Sequence, residues 1–219
     1  MYNWDFASLL QYRSVILAGV WSTVAYTLVI IASGLAVGVL VGLGRVSAGR
    51  WLSGSLRCYV ELFRCTPVLV QLVWFYYALP VVTGIELSPG LAAVLSLTLY
   101  GGAFYSEIVR GGIISIDKGQ VEAARAIGMR SAQVMRRVVL PQAFRRMVPP
   151  LVSQSIMQLK NTSLLSVLAV PDLLYQGQVI AHDTYRPLEI YSLVAVIYFL
   201  LLLPATMFAK RLEARTLGV

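Results

Sequence analysis

Long stretches without a single charge set the strongest limit on this chain. Residues 14–43, 65–85, 87–106 and 190–209 contain no Asp, Glu, Lys or Arg, and 147–171 carries only Lys160. A helix needs about 20 mostly apolar residues to cross the hydrocarbon of a bilayer. The five stretches therefore read as five membrane spans of an all-α protein. The second begins at 65 or, with Glu61 and Arg64 at the membrane boundary, near Leu56. Only 13% of the 219 residues are charged, against about 25% in soluble domains. A water-soluble core of this length could not hide so much apolar surface. No repeat, low-complexity tract or soluble domain stands out, so residues 1–219 read as one membrane domain. The first run is too long for a signal sequence and reads as a retained anchor.

The net charge of +8 does not point to nucleic acid, because the cations sit in short clusters between spans. Cytoplasmic loops carry excess Lys and Arg. Arg45, Arg50 and Arg57 fill the first loop, and the second has none. The third holds Arg110, Lys118, Arg125, Arg130, Arg136, Arg137, Arg145 and Arg146. The fourth, about 172–189, has Arg186 against Asp172, Asp183 and Glu189, and the tail has Lys210, Arg211 and Arg215. This alternation places the N-terminus outside, the C-terminus inside and the third loop in the cytoplasm.

Gly34, Gly38 and Gly42 form a stripe on the first span that lets another helix approach closely, without saying which. Cys58 and Cys65 would lie roughly 10 Å apart along one helix, too far to bridge. One histidine, His182, leaves no metal cluster, and no nucleophile–base set appears. There is no Gly-Lys dipeptide and so no phosphate-cradling loop. These absences leave a transporter, channel or receptor ahead of an enzyme.

The third loop is the most specific segment. Asp117 caps a helix, with Gln120 completing a capping box. Residues 118–128 follow with strong helix formers, and Gly128 stops them. Ser131 caps the next helix, which Pro141 interrupts or kinks. A helix of about ten residues is marginal alone in water and needs something to dock against.

Glu122-Ala123-Ala124, Gly128 and Val138-Val-Leu140-Pro141 resemble the EAA loop of binding-protein-dependent ABC importer permeases, with Val138 in place of the usual Ile. Glu61-Leu-Phe-Arg64-Cys-Thr66-Pro67, Tyr105-Ser-Glu107-Ile-Val-Arg110-Gly111-Gly112 and Leu159-Lys-Asn-Thr-Ser-Leu164 resemble the polar amino-acid uptake branch, which often has Gly where this chain has Cys65. The resemblance covers essentially the whole chain. It implies a type I ABC importer transmembrane domain in a bacterial inner membrane, with a periplasmic N-terminus. It also implies two separate ABC ATPase subunits that bind ATP and Mg, a second permease subunit, identical or related, and an extracytoplasmic amino-acid-binding protein. No cofactor is expected on this chain. The helix at 118–128 would be the coupling helix. Gly119, Glu122, Ala123, Ala124, Gly128, Leu140 and Pro141 would form the ATPase-coupling surface.

Polar groups at membrane depth mark function more often than elsewhere. Gln154, Gln158 and Asn161 fall on one helix face, followed by Lys160, Thr162 and Ser163; Gln71 and Tyr105 lie in the second and third spans. Amides, hydroxyls and a lysine suit a zwitterion, so these eight residues are expected to line the pathway and touch substrate. The same Gln/Asn stripe would equally serve to bond helices together. Glu61–Arg64 and Glu107–Arg110 have the spacing of intrahelical ion pairs. Asp172 and Asp183 read as loop residues, solvated or facing a binding protein.

Overall fold

The computed structural model describes residues 4–47 and 49–217, with side chains through residue 214, so the tail cation Arg215 lies outside the described side chains. Among the described residues the fold is helical throughout. After a 3₁₀ turn, α1 spans Arg13–Ser47 and α2 Arg50–Cys65. Helix α3 (Val68–Val73), a π turn at Trp74–Ala78 and α4 (Leu79–Thr83) follow. Then come α5 (Pro89–Ile114), α6 (Lys118–Ala126) and α7 (Ser131–Val134). A second π turn at Met135–Val139 leads into α8 (Leu140–Asn161), 3₁₀ residues Thr162–Leu168, α9 (Leu173–Thr184) and α10 (Pro187–Leu217).

Three helices are long and apolar enough to cross a membrane singly: Ala7–Ser47, Pro89–Ile114 and Pro187–Ala214. Two more crossings exist only as bent pairs: Arg50–Cys65 with Val68–Thr83, at 107°, and Ser131–Leu168 with Leu173–Thr184, at 45°. The count of five therefore holds if each pair is one span. Counted as one span, the first pair starts at Arg50, upstream of the expected Leu56, and it is broken at Thr66–Pro67. The cause is local. Thr66 precedes a proline and is extended (φ −108°, ψ 143°), and Pro67 follows at ψ 135°, as steric conflict with the proline ring demands. Gln71 closes the corner. Its Nε2 donates to Phe63 O at 2.9 Å, Thr66 O at 3.1 Å and Thr66 Oγ1 at 2.6 Å, supplying a donor to carbonyls that the end of α2 leaves open.

The glycine stripe of α1 meets α5. Gly34 faces Tyr105, Gly38 faces Tyr105 and Ser106, and Gly42 faces Ser106 and Val109, all three partners within van der Waals reach of an added methyl or closer. Hydroxyls reinforce the seam: Ser33 Oγ and Thr98 Oγ1 are 2.6 Å apart. From the other side, α2 donates Tyr59 OH to Leu99 O at 2.6 Å. On the outer surface Trp21, Leu28, Leu40, Phe199 and Phe208 remain exposed, which suits lipid or partner helices rather than water.

The segment 172–189 corrects the expected loop. Twelve of its residues form α9, and Asp172 is fully buried rather than solvated. Its Oδ1 accepts from Tyr175 N at 2.8 Å, and Tyr198 OH reaches Oδ2 at 3.4 Å. Leu173 N donates to Thr23 Oγ1 of α1 at 3.0 Å. Glu189 is buried too, accepting from Arg186 Nη1 at 3.0 Å and Asp5 N at 3.3 Å. Asp183 and His182 stay exposed, 3.7 Å apart. Cys58 and Cys65 are both free and exposed.

Candidate functional site

The loop between α5 and α8 builds a small helix with two unlike faces. Asp117 caps it, accepting Gly119 N through Oδ1 at 2.6 Å. The expected capping box does not form. The Gln120 side chain turns outward instead, and its Oε1 accepts from Gln142 Nε2 of α8 at 2.6 Å. Helix α6 ends at Ala126, two residues short of the expected 128. Gly128 then enters the left-handed region at φ +84°, which glycine takes without strain. Its N–H bonds Arg125 O, and Met129 N returns to Ala124 O at 3.2 Å, the pattern of a glycine-closed helix end.

One face of α6 is anchored. Ala124 is buried, and half-buried Val121 and Met129 pack with it against Ile113, Ile116, Val134, Val139 and Ala143. Ala123, Glu122, Arg125, Ala126 and Ile127 face outward, with Ile127 80% exposed. Gly119, Leu140 and Pro141 are also exposed. The next helix begins differently from expectation. Arg130 is its cap, its N–H donating to Gln133 Oε1 at 2.9 Å, and Ser131 is the first helical residue. Pro141 does not interrupt the helix. The π turn at 135–139 widens the backbone just before it, and α8 runs on to Asn161. Arg146 Nη1 ties α8 to the end of α5 through Ser115 O at 2.6 Å.

The polar residues of α8 divide by burial. Gln158 has no exposed surface; its Nε2 donates to Leu97 O at 2.9 Å and its Oε1 accepts from Asn161 Nδ2 at 3.1 Å. Gly101 permits this approach, because any Cβ there would meet the Gln158 amide. Tyr105 is buried, with its hydroxyl 2.9 Å from Ser155 Oγ. Gln154 is half-buried, and its Nε2 has no partner among the described residues. Asn161 and Ser163 are half-buried, Thr162 is buried and Lys160 is exposed. The Thr162 and Ser163 hydroxyls fold back to Leu159 O and Lys160 O at 2.6 and 2.8 Å. Gln158 and Tyr105 thus meet at Gly101, with Asn161 joined to Gln158 and Ser155, a residue the stripe does not announce, joined to Tyr105. Gln71 serves the α2–α3 corner instead. Replacing Gln158 with leucine is expected to lower stability by roughly 0.6–1.7 kcal/mol, the range of interhelical hydrogen bonds in membranes. Thermal unfolding in detergent would measure it.

A charged knot joins α1, α2 and α5. Glu107 bonds Arg110 as the spacing implied, Nη2 to Oε2 at 2.8 Å, and also bonds Arg45 Nη1. The Glu61–Arg64 pair is not among the ion pairs of the described residues. Arg64 leans toward Glu107 Oε1 at 4.0 Å, and Glu61 accepts from Cys65 Sγ. Arg45 had figured in the sequence only as a loop cation.

Residues 34–218 match the family described as binding-protein-dependent transport system inner membrane component. The glutamine transport system permease protein GlnP of Escherichia coli K12 is 36% identical over 215 residues, covering 97% of this chain and 98% of that protein. The probable glutamine ABC transporter permease protein GlnP of Bacillus subtilis 168 is 41% identical over 181 residues, 81% of this chain and 83% of that protein. A crystal structure of an amino acid ABC transporter with histidines superposes with a TM-score of 0.92 at 33% identity, covering 98% of this chain and all of that one. An inward-facing form of the MetNI methionine ABC transporter shares the fold at 23% identity and a TM-score of 0.77, covering 94% and 98%.

Proposed function

This chain belongs to the binding-protein-dependent transport system inner membrane components, the permease subunits of ABC importers, and we propose that it carries polar amino acids, glutamine among them, through the bacterial inner membrane. Amino-acid import is the coarse reading common to the relatives; the finer one rests on particular features of this chain. The observation that carries it is α6: a helix anchored by Ala124 on one face and uncovered on the other. Such a helix suits a separate motor subunit. Two ATPase subunits would seat on Gly119, Glu122, Ala123, Gly128, Leu140 and Pro141; Ala124, expected in that surface, is buried against α5 and α8 and holds the helix from behind. Their closure would push α6 against α8 and the end of α5, to which it is bonded through Gln120–Gln142 and the cluster around Ile113 and Ala143. A second permease subunit completes the pathway, and a binding protein delivers substrate from outside.

The distribution of Lys and Arg supports a periplasmic N-terminus and a cytoplasmic C-terminus. ATP and Mg belong to the motor. In the membrane the amides and hydroxyls of Gln154, Ser155 and Asn161, with Lys160, Thr162 and Ser163, offer donors and acceptors to a zwitterion without a large unpaired charge. Asn161, half-buried beside Gln158, is the member best placed to exchange partners. Changing Asn161 to alanine is expected to raise the apparent KM for the amino acid without loss of assembly, read from initial uptake rates.

The test is uptake into proteoliposomes holding the permease, its ATPase and its binding protein, screened across amino acids. Accumulation of glutamine or another polar amino acid only with internal or external ATP at the motor supports the proposal. Equal uptake without ATP, or no amino acid moved at all, removes it.

A further inference from the structure

Helix α2 runs along one boundary of the membrane rather than across it. Near its start Ser53 Oγ donates to Arg45 O at 3.3 Å, and near its end Arg64 comes within 4.0 Å of Glu107. Arg45 and Glu107 are themselves bonded, so both ends of α2 sit at similar depth. The 107° turn into Val68–Thr83 agrees, since a helix nearly perpendicular to a spanning helix lies in the membrane plane. Arg45 is the first charge after the uncharged run 14–43. That depth is therefore the border between hydrocarbon and headgroups, on the side that the Lys and Arg distribution assigns to the cytoplasm.

At 3.6 residues per turn the surface of α2 divides into three strips. Val60 and Phe63 are buried, packed with Val41 of α1 and Ala103 of α5. Trp51, Cys58 and Leu62 form an exposed strip, with Trp51 92% accessible. Arg50 and Arg57, seven residues apart, share the third strip. Both are exposed, and neither has a hydrogen bond or ion pair among the described residues. Gly54 lies between them with nothing within 4 Å of a would-be Cβ, so the gap between the two stems is open. Glu61, the one anion of α2, lies a turn beyond Arg57 and accepts from Cys65 Sγ at 3.8 Å instead of pairing with that arginine.

We propose that this surface of α2 docks an anionic phospholipid of the inner leaflet. Arg50 and Arg57 close on the headgroup phosphate across the gap at Gly54, and Trp51 rests against the glycerol and the upper acyl chain. An in-plane helix with arginines on one strip and Trp and Leu on the next suits this interface, where water alone would leave the indole uncovered. The buried strip is already filled by α1 and α5, so the two remaining strips face outward together. A guanidinium binds phosphate through two parallel N–H···O bonds, and the long arginine stems let two of them converge from one helix face. The negative charge of the cytoplasmic leaflet supplies the matching anion. The proposal does not depend on which solute the permease carries.

The experiment uses the permease–ATPase complex in vesicles of phosphatidylcholine and phosphatidylglycerol, with one or the other lipid carrying brominated acyl chains that quench tryptophan on contact. The chain has four tryptophans, so the Trp51 signal is the difference between wild type and Trp51→Phe. Each arginine near an anionic surface is worth about fivefold in binding. Phosphatidylglycerol should therefore be favoured over phosphatidylcholine at Trp51 by roughly twenty-fivefold. Arg50→Gln with Arg57→Gln should abolish that preference, and each single variant, which serves if the double variant does not assemble, should lower it about fivefold. Millimolar inorganic phosphate should leave the preference in place. Equal quenching by the two lipids, or a preference unchanged in the variants, overturns the site. No quenching at Trp51 would mean that another subunit covers this face, and loss of the preference to inorganic phosphate would mean a free anion in place of a headgroup; either result also overturns it.

Discussion

Gly38→Val is expected to cost the protein its α1–α5 seam. A Cβ at residue 38 would overlap Tyr105 Cβ and come within 3.1 Å of Ser106 N and Tyr105 C. These are backbone atoms and a Cβ fixed to the backbone, not the free end of a flexible side chain, so the helices themselves must separate. Overpacking of this kind costs about 1–3 kcal/mol, occasionally more. Helix propensity works in the opposite direction, since glycine in a helix interior is the poorer helix former by a few tenths of a kcal/mol to about 1 kcal/mol. Tertiary contact therefore decides the sign. Gly54 on α2 has nothing within 4 Å of its would-be Cβ, and Gly54→Val should be neutral or slightly stabilising. Thermal unfolding of both variants in detergent checks the contrast. If Gly38→Val unfolds no earlier than Gly54→Val, the seam is not the close contact described.

The second large effect separates folding from work. Glu122 is exposed and has no hydrogen bond or ion pair among the described residues, and it shares its helix with Lys118 and Arg125. Exposed substitutions of this type usually change stability by no more than about 0.5 kcal/mol. Glu122→Lys should thus fold and insert as wild type does. Its ATP-driven uptake should nevertheless fall about tenfold or more, the consequence of losing as little as 1.4 kcal/mol at a partner surface. The charge reversal leaves three cations on a helix of nine residues that is proposed to seat against the motor. The informative measurements are uptake and ATPase rate in the same preparation. Wild-type uptake in this variant would mean that the motor grips the permease elsewhere.

The two variants also mark where reading a sequence succeeds. The spacing of Gly34, Gly38 and Gly42 announced a close approach, but α5 as the partner emerged only when Tyr105 and Ser106 were found against it. Asp117 and Gly128 marked the ends of α6 to within two residues, because cap and stop are local backbone chemistry. Gln120 has the spacing of a capping box, but Gln142, 22 residues on, takes its side chain. Asp172 is buried rather than solvated for a related reason. An aspartate before Leu173-Leu174 is also a helix-cap signal, but the surrounding charges favoured a loop, and the hydroxyl of Tyr198 that helps to house the carboxylate lies 26 residues away. At membrane depth the stripe of Gln154, Gln158 and Asn161 was visible as a pattern. That Gln158 is sealed against Leu97 while Asn161 stays half-open could not be read from spacing.

By itself the sequence determined what one chain segment can decide. Uncharged length made the spans, Thr66–Pro67 made the corner, and Asp117 and Gly128 bounded the small helix, because solvent transfer and backbone sterics act over a few residues. Tertiary structure alone decided which surfaces are spent. It turned a loop cation, Arg45, into the enclosed partner of Glu107 and left Arg64 with donors to spare. A charge's role depends on which other charges arrive within about 4 Å of it, and Arg45 and Arg64 reach Glu107 from helices 62 and 43 residues away in the sequence.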